Sequence, residues 1–498
     1  MWSALARTAR NTAPMMTAAL LLSIACGAFA FSVTATPPPT ESGSTAAPVT
    51  LGIITTIAGT GDWGYSGDGG AASSSRLWDP LGVAVDPSGN LFIADFNNVR
   101  VRRVSATTGT ITTVAGSGNV GFSGDGGAAT SATFNKPTCV VTDLLGTRLF
   151  IADAYNHRIR MVTLDTGVIT AYAGTGAFGF GGDGGVATSA MLANPHGLAV
   201  DMAGGLLIAD TNNHRIRRVH PVTNVVTTVA GNGMGGFSGD GGAATSASLY
   251  EPSAMAVDLA GNLYISDPVH NRVRRVAAAT GVIATVAGNG VRGFSGDGGA
   301  ATSAALSIPL GLAIDNMGDL LIVDALNARV RRVAIASGII STVIGVGVAG
   351  FGGDGGPATS AGLIVPNFIA IDSANNMFVS DRNDHRVRRV IPLAHLSSTA
   401  SATPSSTPYC APALFRHLPR TDLVGALVGT ALTPGAPAPV ASAEACRQAC
   451  CDAPVCQGFA VATDFLVMMG STLCYLYVNI SQLVPSSTMA SGIVESTL

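Results

Sequence analysis

Short runs of apolar residues alternate with turn-forming residues through the middle of the chain. In one representative stretch the runs are 197–201, 206–209, 214–219 and 225–230, and glycine, asparagine and aspartate lie between them. Apolar and β-branched runs of this length, bounded by such residues, are typical of short β-strands. Four of them in succession predict one four-stranded antiparallel sheet.

This unit recurs along two thirds of the chain. The tetrapeptide Gly-Asp-Gly-Gly returns at intervals of 57 or 58 residues, with its aspartate at Asp68, Asp125, Asp183, Asp240, Asp297 and Asp354. A second aspartate keeps the same interval and ends each second run, at Asp95, Asp153, Asp210, Asp267, Asp324 and Asp381. Six four-stranded units in series are typical of a six-bladed β-propeller. We therefore predict an all-β propeller over residues 51–392.

The phase of the repeat predicts how the ring closes. The region opens with a lone run of the fourth type, 53–58, and ends with a run of the third type, 385–390. Neither terminal sheet is complete by itself, and pairing the two runs removes two exposed sheet edges. We expect the first strand to lie in the same blade as residues 366–391.

The repeated residues resemble a known family. Gly197-Leu-Ala-Val-Asp201, Leu207-Ile-Ala-Asp210 and Asn213-His-Arg-Ile-Arg-Arg-Val219 are similar to the NHL repeat. The added stretch Gly236-Phe-Ser-Gly-Asp-Gly-Gly-Ala-Ala-Thr-Ser-Ala247 is similar to the teneurin-type variant of that repeat. The resemblance implies a six-bladed propeller, and it implies no particular activity, because one fold hosts many functions.

Composition excludes several other classes of protein. Glycine makes up 62 of the 498 residues, and charged residues make up only 11%, with one lysine and four glutamates. A mainly helical surface needs far more lysine and glutamate than this. The hydrophobic share of 47% supplies a large core, which excludes wholesale disorder. The net charge of −3 gives no overall attraction to nucleic acid.

An arginine follows each strand-ending aspartate by five residues, at Arg100, Arg158, Arg215, Arg272, Arg329 and Arg386. A functional interpretation makes these turns a ring of anion or metal sites. The structural interpretation has the aspartate accept backbone N–H groups in the turn and form a charge-assisted pair with the arginine. We favour the structural interpretation, because a feature present in every blade is what builds a blade.

Further arginines on the third strands raise the alternative of RNA binding, as some NHL propellers bind RNA through a basic face. Arg217, Arg218, Arg274 and Arg275 are examples. Because matching aspartates recur with them and no aromatic residues interleave, we expect no nucleic-acid partner.

The Gly-Asp-Gly-Gly loops offer one carboxylate each, which is few for Ca²⁺. Tight turns with positive φ explain their glycines better. An aromatic precedes each loop aspartate and is expected to pin its loop between blades; these residues are Tyr65, Phe122, Phe180, Phe237, Phe294 and Phe351.

Some six-bladed propellers are metal-dependent lyases or lactonases, which place catalytic groups at the central channel. The residue after the proline that opens each first strand should lie near its mouth: Leu81, Thr138, His196, Ser253, Leu310 and Asn367. One histidine and no carboxylate do not supply the three protein ligands of a catalytic Zn²⁺. We therefore predict no enzyme activity and no cofactor or metal; a metal-dependent propeller hydrolase or lyase is the alternative.

The segments outside the repeats indicate export. Arg7 and Arg10 precede an apolar run, so residues 1–35 form a signal peptide or, alternatively, a signal-anchor that spans the membrane with residues 15–35. Residues 36–50 and 393–409 are linkers rich in proline, threonine and serine. Asn479 heads a glycosylation sequon, Asn479-Ile-Ser481.

Residues 410–498 contain six crowded cysteines, which predict a small disulfide-rich α+β module: Cys410, Cys446, Cys450, Cys451, Cys456 and Cys474. Their pairing is open. The segments around Cys446, Cys456-Gln-Gly-Phe459 and Cys474-Tyr-Leu resemble a PAN/Apple domain. That resemblance implies a module that binds proteins or glycans.

Together these features predict an exported binding or adhesion protein, secreted or displayed at the cell surface. Its expected partner is an extracellular protein or glycan. Contact with a membrane is expected only if the N-terminal segment stays uncleaved.

The cysteines provide a first test. The six C-terminal cysteines should be oxidised, each bridge stabilising the small module by roughly 2–4 kcal/mol, whereas Cys139 should be a buried free thiol. Mass spectrometry with thiol labelling before and after reduction measures this. Labelling of most of the seven thiols in the native protein would contradict both the disulfides and the extracellular location.

Overall fold

The computed structural model describes residues 52–392 and the backbone of a hairpin at 466–470 and 473–477. Residues 52–392 form six four-stranded antiparallel sheets arranged as blades round an axis. The strands of blades 1 to 3 are Pro80–Val85, Leu91–Asp95, Arg100–Val104, Ile111–Ala115; Pro137–Thr142, Arg148–Asp153, Arg158–Thr163, Val168–Ala173; Pro195–Val200, Leu206–Asp210, Arg215–Val219, Val226–Ala230. Those of blades 4 to 6 are Met255–Val257, Leu263–Asp267, Arg272–Val276, Ile283–Ala287; Pro309–Ile314, Leu320–Asp324, Arg329–Ala334, Ile339–Ile344; Pro366–Ile371, Met377–Asp381, Arg386–Pro392, Gly52–Ala58.

The last blade confirms the predicted closure. The first strand of the chain, Gly52–Ala58, pairs antiparallel with Arg386–Pro392 and so supplies the outermost strand of blade 6. Ile54 lies opposite Val390, and Gly52 lies opposite Pro392. Both ends of the propeller therefore leave the ring side by side.

Two faces of the ring can be defined from the strand pairing. Each innermost strand begins beside the end of the second strand, as Pro80 beside Asp95. We call the side that carries these positions, and the turns between second and third strands, the upper face. The lower face carries the other turns, such as 86–90, together with the first and last residues of the propeller, Gly52 and Pro392.

The second strands hold the core together. Every residue of Leu206–Asp210 is buried, whereas the third strand, Arg215–Val219, has half-buried residues at Arg215 and Arg218. Because a blade packs against a neighbour on each side, its second strand is covered on both faces and becomes a continuous apolar run. The innermost strands contact one another in a ring round the axis.

The Gly-Asp-Gly-Gly segments cover the outer edges of the blades. Ile111 of the outermost strand accepts a hydrogen bond from the Gly69 N–H and donates to the Gly70 carbonyl. Gly67 and Gly69 have φ of 90° and 83°, and a Cβ on Gly67 would lie 2.7 Å from the Cβ of Ser75. Positive φ therefore explains these glycines, and the loop shields a strand edge that would otherwise be unpaired.

Short 3-10 helices occupy fixed places in the repeat. The loops before the innermost strands contain Ala72–Ser74, Ala129–Ser131, Ala187–Ser189, Ala244–Ser246, Ala301–Ser303 and Ala358–Ser360. The turns that follow second strands contain Ala154–Asn156, Thr211–Asn213, Ala325–Asn327 and Arg382–Asp384. Within the part of the chain that the structure describes, no helix is long and apolar enough to cross a membrane.

The chain divides into two compact units, 1–398 and 399–498. In the second unit the strands Leu466–Gly470 and Leu473–Tyr477 form an antiparallel hairpin. The expectations for 1–35, 36–50 and 393–409, for Asn479, and for Cys410, Cys446, Cys450, Cys451 and Cys456 lie outside the described residues. Cys474 lies in the hairpin, of which the backbone alone is described.

Closure by the first strand leads to a stability prediction. Deleting residues 51–58 exposes an edge of blade 6 and should lower the Tm by at least about 10 °C, since each kcal/mol shifts Tm by about 2–4 °C in domains of 150–250 residues. Calorimetry measures the effect, with an eight-residue deletion inside the 36–50 linker as the control. An unchanged, equally cooperative transition would show that the ring does not depend on this strand.

Candidate functional site

Each blade buries one arginine in the middle of its third strand. The side chains of these six arginines are fully buried: Arg102, Arg160, Arg217, Arg274, Arg331 and Arg388. A charged guanidinium in such a place requires charged and hydrogen-bonding partners.

Blade 3 shows how the arginine is paired. Arg217 Nη2 lies 2.6 Å from the Oδ1 of the loop residue Asp183, and Nη1 lies 3.5 Å from the Oδ2 of the strand-ending Asp210. Nη1 also donates to the Met191 carbonyl at 2.7 Å. Asp183 in turn accepts the N–H of Thr228 in the outermost strand at 3.1 Å. One guanidinium thus connects a loop, two strands and, through the loop carboxylate, a third strand.

The predicted pairing of each strand-ending aspartate with the arginine five residues later was wrong. Asp210 and Arg215 face each other in the strand register, but Arg215 donates to the carbonyls of Asn213 and Asn232 at 3.1 and 2.8 Å. The ion-pair partner of Asp210 is Arg217, seven residues on. Asp210 does accept a backbone N–H, but from Ala193 in the loop before the innermost strand and not from its own turn.

The guanidinium of Arg215 instead occupies a slot at the edge of the blade. A Cβ on Gly233 would collide with it, so the glycine opens the slot. Equivalent slots hold Arg100, Arg158, Arg272, Arg329 and Arg386, each of which donates to a loop carbonyl.

The recurring aromatics stack on these arginines. The rings are 38–47% exposed, so they lie at the surface of the blades. Each ring lies 3.7–4.1 Å from a guanidinium carbon: Tyr65 with Arg100, Phe122 with Arg158, Phe180 with Arg215, Phe237 with Arg272, Phe294 with Arg329 and Phe351 with Arg386. Such cation–π pairs contribute about 0.5–1 kcal/mol each at exposed sites.

The arginines that raised the RNA alternative are also engaged. Arg274 is buried like Arg217, and its Nη2 lies 2.5 Å from Asp240. The outward-facing Arg218 pairs with Asp201 in the turn below it.

A contact between blades escaped the sequence reasoning. The Nδ1 of His214, in the turn of blade 3, accepts the N–H of Glu251, which precedes the innermost strand of blade 4, at 3.1 Å. His157 and His385 make the same bond to the next blade, and Asn271 replaces it with its Oδ1. Burial, together with the positive charge of Arg215, lowers the pKa of His214.

The channel is closed near the predicted mouth residues. The ring of His196 in blade 3 stacks on Phe368 from the opposite blade 6, with centroids 5.7 Å apart. The His196 carbonyl accepts from Thr138 Oγ1 at 2.9 Å, and its Nδ1 lies 3.2 Å from Ser253 Oγ. Burial lowers the pKa of His196 to about 4, so the ring is neutral at pH 7. Its Nε2 is buried and has no hydrogen-bond partner among the described residues.

Next to these positions the innermost strands alternate between small and larger residues. Gly82, Gly197 and Gly311 occupy blades 1, 3 and 5, and each faces a neighbour in the following blade: a Cβ on Gly82 would lie 2.5 Å from the Cα of Cys139. This close approach requires glycine in blades 1, 3 and 5, whereas the facing strands of blades 2, 4 and 6 carry Cys139, Ala254 and Phe368 at the equivalent position. Cys139 is a buried free thiol, as predicted, and burial raises its pKa to about 12.

Two surfaces flank the stacked His196 and Phe368 on the upper face. Between blades 3, 4 and 5 lies a cavity of about 210 Å³, lined by His196, Thr211, Glu251, Ser253, Pro268, Val269, Asn271, Arg292, Ile308 and Leu310. On the other side, at blade 1, Trp63 and Trp78 pack together with ring centroids 5.1 Å apart. Among residues 52–392, no group of three histidine, cysteine, aspartate or glutamate side chains could hold a metal ion.

The neighbours of the tryptophan pair are polar. Asp79 accepts a hydrogen bond from Asn97 at 2.8 Å and lies 3.4 Å from both His385 Nδ1 and Arg382 Nη2. Aromatic rings and hydrogen-bonding groups therefore stand side by side at this edge of the upper face.

Comparison with known proteins agrees with this geometry. Residues 77–103 and 192–219 match the NHL repeat family. The chain is 26% identical over 329 residues to Protein SUPPRESSOR OF QUENCHING 1, chloroplastic, of Arabidopsis thaliana, covering 64% of this chain and 31% of that protein. It is 28% identical over 251 residues to mouse Teneurin-1, covering 44% of this chain and 9% of the relative.

The chain thus spans about a third of the first relative and about a tenth of the second. A structural-genomics protein of unknown function from Bacteroides thetaiotaomicron superposes with a TM-score of 0.53 at 19% identity, covering 68% of this chain and 75% of that one. The protein is therefore a six-bladed β-propeller that contains NHL repeats, and part of it is similar to Teneurin-1.

The bond between blades 3 and 4 predicts a specific pH dependence. Because the folded-state pKa of His214 is lowered, the unfolded chain binds more protons, and this bond's contribution to stability is lost as the pH falls below about 6.5. His214→Asn keeps an acceptor, as Asn271 does naturally, and should flatten this dependence. His214→Ala should cost about 0.5–1.5 kcal/mol at pH 7.5.

Urea unfolding at pH 7.5 and 5.5 measures the free energy of unfolding of the wild type and of the two His214 variants. An Asn variant that loses as much stability on acidification as the wild type would show that His214 does not titrate in this role.

Proposed function

We propose that this protein is an exported, non-catalytic binding protein that uses the upper face of its propeller to hold an extracellular glycan or protein. The C-terminal segment, with its PAN/Apple-like cysteine pattern, is proposed to add a second binding module stapled by disulfides. The apolar segment at 15–35 and the crowded cysteines support a secreted or cell-surface location. Similarity to Teneurin-1 is consistent with the proposed secreted or cell-surface location.

The observation that carries the proposal is the tryptophan pair. Of three tryptophans in the chain, Trp63 and Trp78 lie in the propeller, and both are in the first repeat. Trp63 is 63% exposed, although large aromatics are mostly buried. Exposed tryptophans are frequent binding hot spots, because a flat apolar face comes with a polar N–H.

The groups beside the pair favour a glycan. A sugar ring offers an apolar C–H face for stacking and hydroxyl groups for hydrogen bonds. Asp79, Asn97 and His385 supply acceptors and donors at the edge of the tryptophan surface. The first and last propeller residues, Gly52 and Pro392, lie at the lower face, on the other side of the ring from the tryptophan pair.

The non-catalytic part of the proposal is supported by the closed channel. Phe368 and His196 fill the axis at the level where propeller enzymes place their catalytic groups. His196 is neutral, and the groups next to it are a serine hydroxyl and a threonine hydroxyl. A metal-dependent hydrolase or lyase needs three protein ligands at its metal, and these positions supply one histidine.

The test compares the two faces. Full-length protein carrying Trp63→Ser and Trp78→Ser should bind at least about tenfold more weakly on glycan and ectodomain arrays, because truncating a tryptophan hot spot costs 2 kcal/mol or more. The matched control carries Leu259→Ser and Met317→Ser, which remove two exposed apolar side chains from the lower face. Unchanged binding by the tryptophan variant, or loss in the control alone, would refute the assignment of the binding face.

A further inference from the structure

Two charged residues break the repeat, and both line the cavity between blades 3, 4 and 5. Glu251 is the single glutamate within residues 51–392 of the sequence. Its equivalents, each before a proline, are Asp79, Lys136, Asn194, Ile308 and Val365. Arg292 lies outside the arginine-rich third strands, and its equivalents are Trp63, Val120, Phe178, Gly235 and Ala349. Neither residue is needed to build a blade, since the other blades form without it.

The two charges do not neutralise each other. Among the described residues, no ion pair within 4.0 Å joins Glu251 to Arg292, and Arg292 Nε donates to the hydroxyl of Ser307 at 3.3 Å. The Glu251 side chain is half-buried, and burial raises its pKa. The half-buried carboxylate and the exposed guanidinium both gain from a partner that brings the opposite charge.

The other residues that line the cavity determine the polarity and size of the ligand it can hold. Ile308, Leu310 and Val269 form an apolar wall. His196, only 7% exposed, contributes the unpartnered Nε2. At about 210 Å³ the cavity is smaller than the ~300 Å³ lower bound of pockets for drug-sized molecules, so it fits a small metabolite.

We propose that this cavity binds a small zwitterion with an apolar side chain, the chemical class of a free aliphatic α-amino acid. Its ammonium group pairs with Glu251, its carboxylate accepts from Arg292, and its side chain packs on Leu310 and Ile308. A simple anion would be repelled by Glu251, and a simple cation by Arg292. The site is separate from the tryptophan surface, so it stands or falls independently of the proposed glycan or protein partner.

Calorimetric titration of the full-length protein tests the proposal, with L-leucine as the probe. Leucinamide lacks the carboxylate and 4-methylpentanoate lacks the ammonium, so each should bind at least tenfold more weakly than leucine. Glu251→Gln and Arg292→Gln should each weaken leucine binding at least tenfold. Asp165→Asn and Arg76→Gln, which change exposed charges away from the cavity, are the matched controls and should leave binding unchanged.

Leu310→Trp fills the cavity without removing a charge and should abolish binding, while unfolding curves check that every variant is folded. No binding of leucine, isoleucine, valine or methionine at 10 mM would overturn the proposal. Equal binding of the single-charge analogues, or leucine affinity that survives both charge substitutions in folded protein, would overturn it as well.

Discussion

The fold depends on a charged group placed where water does not reach. The buried arginine of each third strand, such as Arg274, is acceptable inside a blade only because a loop aspartate, Asp240, comes to it. That carboxylate arrives from 34 residues earlier in the chain and also binds the outermost strand through Thr285. The long glycine-rich loop is therefore part of the sheet that follows it, and its length, turn glycines and aspartate recur together in all six repeats.

Much of this architecture could be predicted from the sequence, because repeats, strand runs and turn residues are local signals. The phase of the repeat was enough to predict that Gly52–Ala58 completes blade 6. The partner of Asp210 could not be found in the same way. Spacing along the chain suggested Arg215, but the choice between Arg215 and Arg217 is made by Gly233, which takes one guanidinium away from the carboxylate. Contacts that join segments far apart in the chain are invisible to local spacing.

The residues of the candidate sites are recognisable in a different way, because they differ from the residues at the equivalent positions of the other repeats. His196, Glu251, Arg292 and Trp63 occupy positions where the other repeats have other residue types, and all four lie on the upper face. Sequence reasoning singled out His196 for its place near the channel but passed over the other three, because it looked for residues shared by every blade. The shared residues build the ring; the unshared ones on its upper face are free to define what it binds.

The central claim is that the buried arginine fastens each loop to the following blade. Hydrogen–deuterium exchange with mass spectrometry tests this claim on Arg274→Gln, Asp240→Asn and the double variant. Amides of the loop 236–250 and of Ile283–Ala287 should exchange at least about tenfold faster in each single variant, with little further change in the double, because both remove one connection. The equivalent loop of blade 1 should be unaffected. Wild-type exchange in the blade 4 loop of both single variants would contradict the account.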